Sequence, residues 1–473
     1  MTGRARALLL VLCGTIFLEG ADVAMLGVAV PAIRADLDLG TGTAAWVMSG
    51  YVLGYAGFTL LGGRAADLLG RRRMFLFWLG VFLVFSGLGG FATEGTTLVA
   101  ARFATGVAAA FMTPAALSLI TTSFAEGPER TKALMVFAGA GAAGFSLGLV
   151  IGGLLTALGW RWVFFAPVLF AAALWAAAVR LVPADPPRSA SQGRSFDVPG
   201  AVTAAGAMLL TAYGVVRLEH GFEGWPTTVA VLVAGALLAL VFLRVERRAA
   251  RPLVRLAILR RSAMVRADLG AALFVGAFFG FQFVLTLYFQ EVRGWSPIQT
   301  AFALIAMGLD AVLAPTLTPH LVRRFGTARV AAVGFALAAL GYGLVLPLGA
   351  DWPYLALFPT LLLAGIAFAL VYGPLTVTAT EGVDASEQGL AGGLFTTAVQ
   401  FGSALGIAVV TAVHGIVAEG GAPRVEALRW ALTVPFAMAA AGLALALYGV
   451  HRGRRHALTA ATRLPAVREP SRA

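Results

Sequence analysis

Of 473 residues only one is cysteine, Cys13, and only one is lysine, Lys132. The lone thiol excludes an intramolecular disulfide framework and any cysteine-rich metal site, so no metal is expected. The lone lysine follows Thr131, which excludes the G-x-x-x-x-G-K-[ST] loop that cradles nucleotide phosphates. Energy must then come from elsewhere, such as an ion gradient. No nucleophile constellation or cofactor loop is evident, which disfavours an enzyme. Charge is scarce as well: 12% of residues are Asp, Glu, Lys or Arg, against about 25% in soluble domains, while 59% are hydrophobic.

Water is not the solvent this composition suits. Apolar runs of about 20 residues, enough to cross a bilayer as helix, recur from end to end. They fall near 8–30, 44–62, 74–92, 97–120, 132–155 and 162–182, then 198–217 and 227–243, then 268–290, 298–320, 328–348, 354–376, 390–416 and 428–450. The pattern is six, two, six: an all-α integral membrane chain of 14 spans. It divides into a first bundle (1–182), a middle pair with a basic segment (183–267), a second bundle (268–450) and a basic tail (451–473). Arg4 and Arg6 imitate the start of a signal peptide, but no small-residue cleavage site follows, and Glu19 and Asp22 interrupt the run. An uncleaved first helix is expected.

The net charge of +12 sits in short gaps between spans rather than in a patch interleaved with aromatics, which argues against a nucleic-acid partner. With the N-terminus placed in the cytoplasm, 28 of the 35 Lys and Arg fall on that side, six fall outside, and Arg102 stays in the membrane. This asymmetry is the positive-inside signature, and an even number of spans puts both termini in the cytoplasm. Eight arginines between Arg244 and Arg266 mark a segment along the cytoplasmic surface, held by anionic lipid or simply fixing topology.

Three acids fall inside spans, where an ionised carboxylate costs at least about 2.5 kcal/mol. Glu19 and Asp22 stand three residues apart on one face of the first span, and Asp310 lies mid-way along the tenth. Two carboxylates on one face oppose each other's ionisation, so one of them can hold a proton near neutral pH. Each also has a plainer reading, as a hydrogen-bonded or ion-paired group that only joins helices. Arg102, in the fourth span, either faces one of these acids or snorkels outward. Gly144, Gly148 and Gly152, with Gly153 adjacent, form a strip on the fifth span that admits another helix. The ninth span crowds Phe274, Phe278, Phe279, Phe281, Phe283, Tyr288 and Phe289 around Gln282, facing either a bound molecule or lipid.

Several motifs follow in order. Asp22 to Pro31 reads DVAMLGVAVP; Gly63 to Arg72 reads GRAADLLGRR; Arg102 to Gly106 reads RFATG; Gly144 to Gly153 reads GFSLGLVIGG. Trp160 to Phe165, Phe196-Asp197, Pro252-Leu253 and Gln388 to Leu394 come later, with a faded copy of the second motif at Arg323-Arg324-Phe325-Gly326. Together, from about residue 15 to 450, they resemble the fourteen-helix drug:proton antiporter family of the major facilitator superfamily. Thr105 stands where that family has glutamine, and Leu149 where it has proline.

The resemblance implies two six-helix bundles with two extra central helices, and alternating access that exports small hydrophobic or cationic compounds, such as drugs or antibiotics, against protons. It assigns proton coupling to Asp22 and Arg102, to which the placement of the acids in the first span adds Glu19, and a cytoplasmic latch to Gly63, Asp67, Gly70 and Arg71. It assigns helix packing to Gly144, Gly148, Gly152 and Gly153, and substrate recognition to Asp310, with Gln282 and Phe278 as further candidates. No cofactor beyond the proton gradient is expected, and no partners beyond a small-molecule substrate and the lipid bilayer. The chain is expected as a monomer in the plasma membrane. A proton-coupled importer and a non-transporting membrane sensor are the alternatives.

Overall fold

The computed structural model describes residues 3–39, 41–185, 197–217, 224–249, 252, 254, 258 and 261–461. Among the described residues there is no strand. That is what lipid requires of an open chain: with no water to satisfy backbone N–H and C=O groups, each segment must bond to itself. The first bundle comprises α1 (Gly3–Asp36), α2 (Thr41–Leu69), α3 (Arg71–Gly90), α4 (Gly95–Ser123), α5 (Pro128–Leu158) and α6 (Trp162–Leu181). The middle pair is α7 (Val198–Arg217) and α8 (Trp225–Arg248). The second bundle begins with α9 (Ser262–Leu287), which ends in a π turn at Tyr288–Val292. The tenth span is broken into α10 (Pro297–Leu304), a 3-10 stretch (Ile305–Leu309), α11 (Asp310–Thr316) and α12 (Thr318–Phe325). Then come α13 (Thr327–Val345), α14 (Tyr354–Thr380), α15 (Gln388–Glu419) and α16 (Arg424–Ala461). Among the described residues, 13 stretches are long and apolar enough to cross a membrane; α2, 29 residues long, lies between two of them and brings the number to 14.

The helices overrun the expected spans at both ends because a helix continues past the apolar slab until a breaker stops it. The basic segment differs more. Residues 244–248 complete α8, and 262–266 already belong to α9, so only the stretch between them connects the two. Most of that connection, with the stretch 186–196 and the tail from 462, lies outside the described residues. The tenth span breaks where Pro315 supplies no N–H and Pro319 starts a new turn.

One packing scheme is used twice. In the first bundle α1 lies on α5, α3 on α4 and α6; in the second α9 lies on α15, α13 on α14 and α16. Gly70 (φ 108°) and Gly326 (φ 83°) make the same corner in the two halves, in backbone conformations open mainly to glycine. The halves meet along two seams, α2 on α15 and α11 on α5. The middle pair leans on the first bundle through α7 against α2, and α8 turns Val233, Leu237, Leu240 and Val241 outward.

Arg64, Asp67, Arg71, Arg261 and the starts of α9 and α15 lie at one end of the bundle, called here the basic face. At this face Asp185, just past α6, accepts from the backbone N–H groups of Arg72 (3.1 Å) and Arg73 (3.4 Å), capping α3.

Candidate functional site

The α1–α5 seam positions the acids. A Cβ at Gly144 would lie 2.1 Å from the carbonyl oxygen of Phe17; at Gly148, 2.7 Å from the Cα of Ala21; at Gly152, 2.6 Å from the Cα of Met25. Each four-residue step on α5 thus meets a four-residue step on α1, and no side chain fits between them. This fixes the rotation of α1 and turns Glu19 and Asp22 away from α5, toward α4 and α2. Gly153 is not part of this strip: its nearest neighbour is Ile298 of α10, 3.8 Å away, across the interface between halves.

A second close approach sets the cation. A Cβ at Gly106 would fall 2.1 Å from the carbonyl oxygen of Tyr51, so α4 and α2 touch backbone to backbone there. Tyr51 is thereby brought over Arg102, whose guanidinium carbon stands 4.6 Å from the ring centroid. Arg102 Nη1 donates to Asp22 Oδ2 at 2.6 Å, and both side chains are 2% exposed. Arg102 is directed inward to an acid rather than outward to the interface. Thr105 donates to the carbonyl of Arg102, a bond within α4.

Glu19 is placed differently. Its carboxylate accepts from the hydroxyls of Thr113 on α4 and Tyr55 on α2, and no cation among the described residues pairs with it. Tyr55 meets Tyr51 edge on, with centroids 5.8 Å apart, so the surroundings of the two acids share a wall. One carboxylate therefore has a fixed counter-charge, and the other has only neutral donors.

A line of rings crosses the interface between the halves and passes near Glu19. Phe145 of α5 touches Phe279 of α9 edge on at 5.5 Å. From there Phe278, Phe368, Tyr372 and Phe395 follow, each ring in contact with the next. Tyr372, on α14, is close enough to Glu19 to feel its charge. Gln282, half-buried, is one turn beyond Phe278 on the same helix. Asp310 is 2% exposed, at the junction of the 3-10 stretch and α11, and no ion pair among the described residues includes it. Nothing in the described contacts joins Asp310 to Glu19 or Asp22.

At the basic face Asp67 Oδ1 and Oδ2 accept from the backbone N–H groups of Gly389 (3.0 Å) and Leu390 (2.9 Å). These are among the first N–H groups of α15, left without partners by the helix itself, so Asp67 caps a helix of the other half and meets its positive end. Arg71 holds Asp67 at 3.2 Å and donates to the carbonyl of Ala385. Gly63 sits beside them with its Cα against Gly393 and Gly389. The basic face is closed at this point.

Tyr51, Tyr55, Thr113 and Tyr372 lie in no sequence motif, and Phe145 lies in the Gly144–Gly153 motif but was not singled out there. A second glycine seam also escaped notice: Gly402 and Gly406 of α15 press on the carbonyls of Ala272 and Gly276 of α9 at 2.3 and 2.2 Å from a built Cβ. Its signal was there, as a four-residue glycine spacing on each helix.

Two repeated six-helix bundles, the first holding a buried acid–arginine pair and latched to the second by a helix cap, define a multi-pass membrane protein built from two halves. Residues 12–407 match the sequence profile of the Major Facilitator Superfamily, and the chain belongs to that family. It is 38% identical over 351 residues to the cephamycin export protein CmcT of Amycolatopsis lactamdurans, covering 70% of each chain. To the puromycin resistance protein pur8 of Streptomyces alboniger it is 37% identical, over 66% of this chain and 60% of that one. To the lincomycin resistance protein of Streptomyces lincolnensis it is 34% identical, over 67% and 65%. The chain thus spans between 60% and 70% of the length of these relatives. Among solved structures, the human organic anion transporter MFSD10 (TETRAN) superposes with a TM-score of 0.66 at 17% identity, over 94% of this chain and 97% of that one. The proton:xylose symporter XylE gives 0.64 at 16%, over 94% of each chain. These last two are likenesses of fold.

Proposed function

We propose that this chain is a proton-driven exporter of small organic compounds, antibiotics or other drugs among them, working by alternating access. Its basic face lies in the cytoplasm, as the positive-inside asymmetry requires. The observation that carries the reading is the contrast between the two acids: Asp22 has Arg102 as a built-in counter-charge, while Glu19 has only Thr113 and Tyr55. The relatives named for export and resistance give the direction of movement and the class of cargo.

Glu19 is the acid free to take and give a proton, and Asp22 with Arg102 holds the wall against which it does so. A compound entering from the cytoplasm displaces the proton of Glu19, and the halves rock about the α2–α15 and α5–α11 seams. A proton taken from outside then drives release. The latch at Asp67 and Arg71 opens and closes the cytoplasmic side in each cycle. Phe278, Phe279, Phe145 and Gln282 supply apolar contact with one polar group, and Asp310 stands as a further recognition acid in the other half.

Everted vesicles carrying the protein test this. Adding an exported compound under an imposed pH gradient, acidic inside, releases protons outward in step with uptake of the compound. Uptake with no proton movement removes the coupling, and movement of compounds only in the opposite direction turns the reading into an importer.

A further inference from the structure

Asp268 is an acid that no motif accounts for. It is the seventh residue of α9, and its Oδ1 is buried with no hydrogen-bond partner. No ion pair among the described residues includes it, and the residue as a whole is half-buried. On the helices packed against α9 there is no titratable side chain between Tyr372 and Glu381 of α14, between Glu387 and His414 of α15, or between Arg429 and Tyr448 of α16. The groups at the basic end are Glu381, Glu387, Tyr448, His451 and Arg452, and no ion pair among the described residues joins any of them to Asp268. On α9 itself the nearest charge is Arg266, whose side chain lies by Gly449 of α16.

Its direction follows from helical spacing. Asp268, Val275, Phe279 and Gln282 succeed one another at steps of seven, four and three residues, which is one face of a helix. Phe279 on that face touches Phe145 of the opposite half, so the face looks toward the interface between halves. Asp268 stands at its basic end. One turn further on, Ala272 rests against Gly402 of α15, and about two and a half and three and a half turns before Gly402 on α15 come Gly393 and Gly389, clasped by Gly63 of α2. Asp268 therefore lies just inside the closed latch.

The fold does not need an acid there. The seam of α5 on α1, with Gly144 on Phe17 and Gly148 on Ala21, recurs as α15 on α9, with Gly402 on Ala272 and Gly406 on Gly276. Four residues before Ala272 is Asp268, whereas four before Phe17 is Cys13 and four before Ala21 is Phe17, so in either register the other half carries a neutral residue there. Ionising a carboxylate whose oxygen is buried without a hydrogen-bond partner is costly, and no contact among the described residues offsets that cost.

We propose that Asp268 is a second proton site, distinct from the Glu19 site: a neutral carboxylic acid while the latch is shut, giving its proton to water when α15 leaves α2 and the basic face opens. The O–H bond of the acid breaks, water at the opened face takes the proton as hydronium, and the carboxylate stays hydrated there until, as the face closes, it takes a proton back from hydronium in that same water. The proposal rests on the exporter reading for its place in a cycle, but not for its chemistry.

The test uses the full chain in lipid with D268N, D268E and wild type. Infrared difference spectra on a pH jump report the C=O stretch of protonated carboxylic acids. D268N is expected to delete one such band, and D268E to retain one at a shifted position. In everted vesicles, acidifying the medium at the basic face opposes discharge of Glu19 and of Asp268 alike, so the reading is the difference. Export by D268N is expected to fall less steeply with acidification than export by wild type, by up to about tenfold per pH unit, and D268E to restore the wild-type slope. An unchanged spectrum in D268N overturns the proposal, as does a pH profile that D268N leaves intact. If D268N does not accumulate, a D268E protein whose spectrum and profile match wild type in every respect overturns it equally. Absence of any compound-driven proton flux in wild type, with the band still lost in D268N, sinks the exporter reading and leaves the proton site standing.

Discussion

Asp22→Asn should destabilise the protein more than replacing Asp22 and Arg102 together. At 2.6 Å and an effective dielectric constant of about 20, the attraction between these charges is about 6 kcal/mol. The cost of taking both from water offsets much of it. Removing only the carboxylate leaves the guanidinium buried at 2% exposure, with the ring of Tyr51 at 4.6 Å as its remaining support. A buried charge left without its partner costs about 3–5 kcal/mol. In Asp22→Asn with Arg102→Met the cation goes as well, and methionine fills much of the space. The assay is unfolding in detergent, followed by tryptophan fluorescence for wild type, both single variants and the double. The single variant is expected to lose several degrees of unfolding midpoint, and the double to recover part of that loss. An Asp22→Asn protein as stable as wild type, or a double variant whose loss is the sum of the singles, would refute the reasoning.

Other expectations follow from single contacts. Gly148→Val places a side chain 2.7 Å from the Cα of Ala21 and should prevent accumulation of folded protein, whereas Gly153→Ala, 3.8 Å from Ile298, should accumulate as wild type does; immunoblots of membranes compare them. Gly402→Val, in the second seam, should behave like Gly148→Val. Asp67→Asn weakens the cap on α15 by about 1 kcal/mol, shifting the balance about fivefold toward a basic face that is open. With Cys13 replaced by serine, labelling of a cysteine introduced at Thr59 reads that shift; labelling no faster than in the Asp67 parent counts against the latch.

Much of this architecture was legible because lipid imposes long apolar runs, and runs can be read without knowing what they touch. The six, two, six pattern comes from length and composition alone. The break in the tenth span was not foreseen, since Pro315 and Pro319 lie in a stretch whose hydropathy is unbroken. Glu19, Asp22 and Arg102 stood out because charge in a span is rare; Thr113, Tyr55 and Tyr372, which surround the site, are ordinary residues whose importance lies in position. Gly153 looked equivalent to Gly152 by adjacency, but one residue turns a helix by about 100° and presents it to a different neighbour. Asp268 was overlooked because it fell at the first residue of an expected span, where an acid reads as a boundary. In the structure α9 starts six residues earlier, at Ser262, which places Asp268 inside.

The central claim is that Glu19, and not Asp22, exchanges its proton for the compound. It is tested most directly by calorimetric titration of purified protein with an exported compound in two buffers of different ionisation enthalpy, which counts protons released on binding. The account predicts about one proton released by wild type when the pH lies below the titration of the Glu19 site, and none by Glu19→Gln. Unchanged proton release in Glu19→Gln, with release abolished in a folded Asp22→Asn protein, would contradict it.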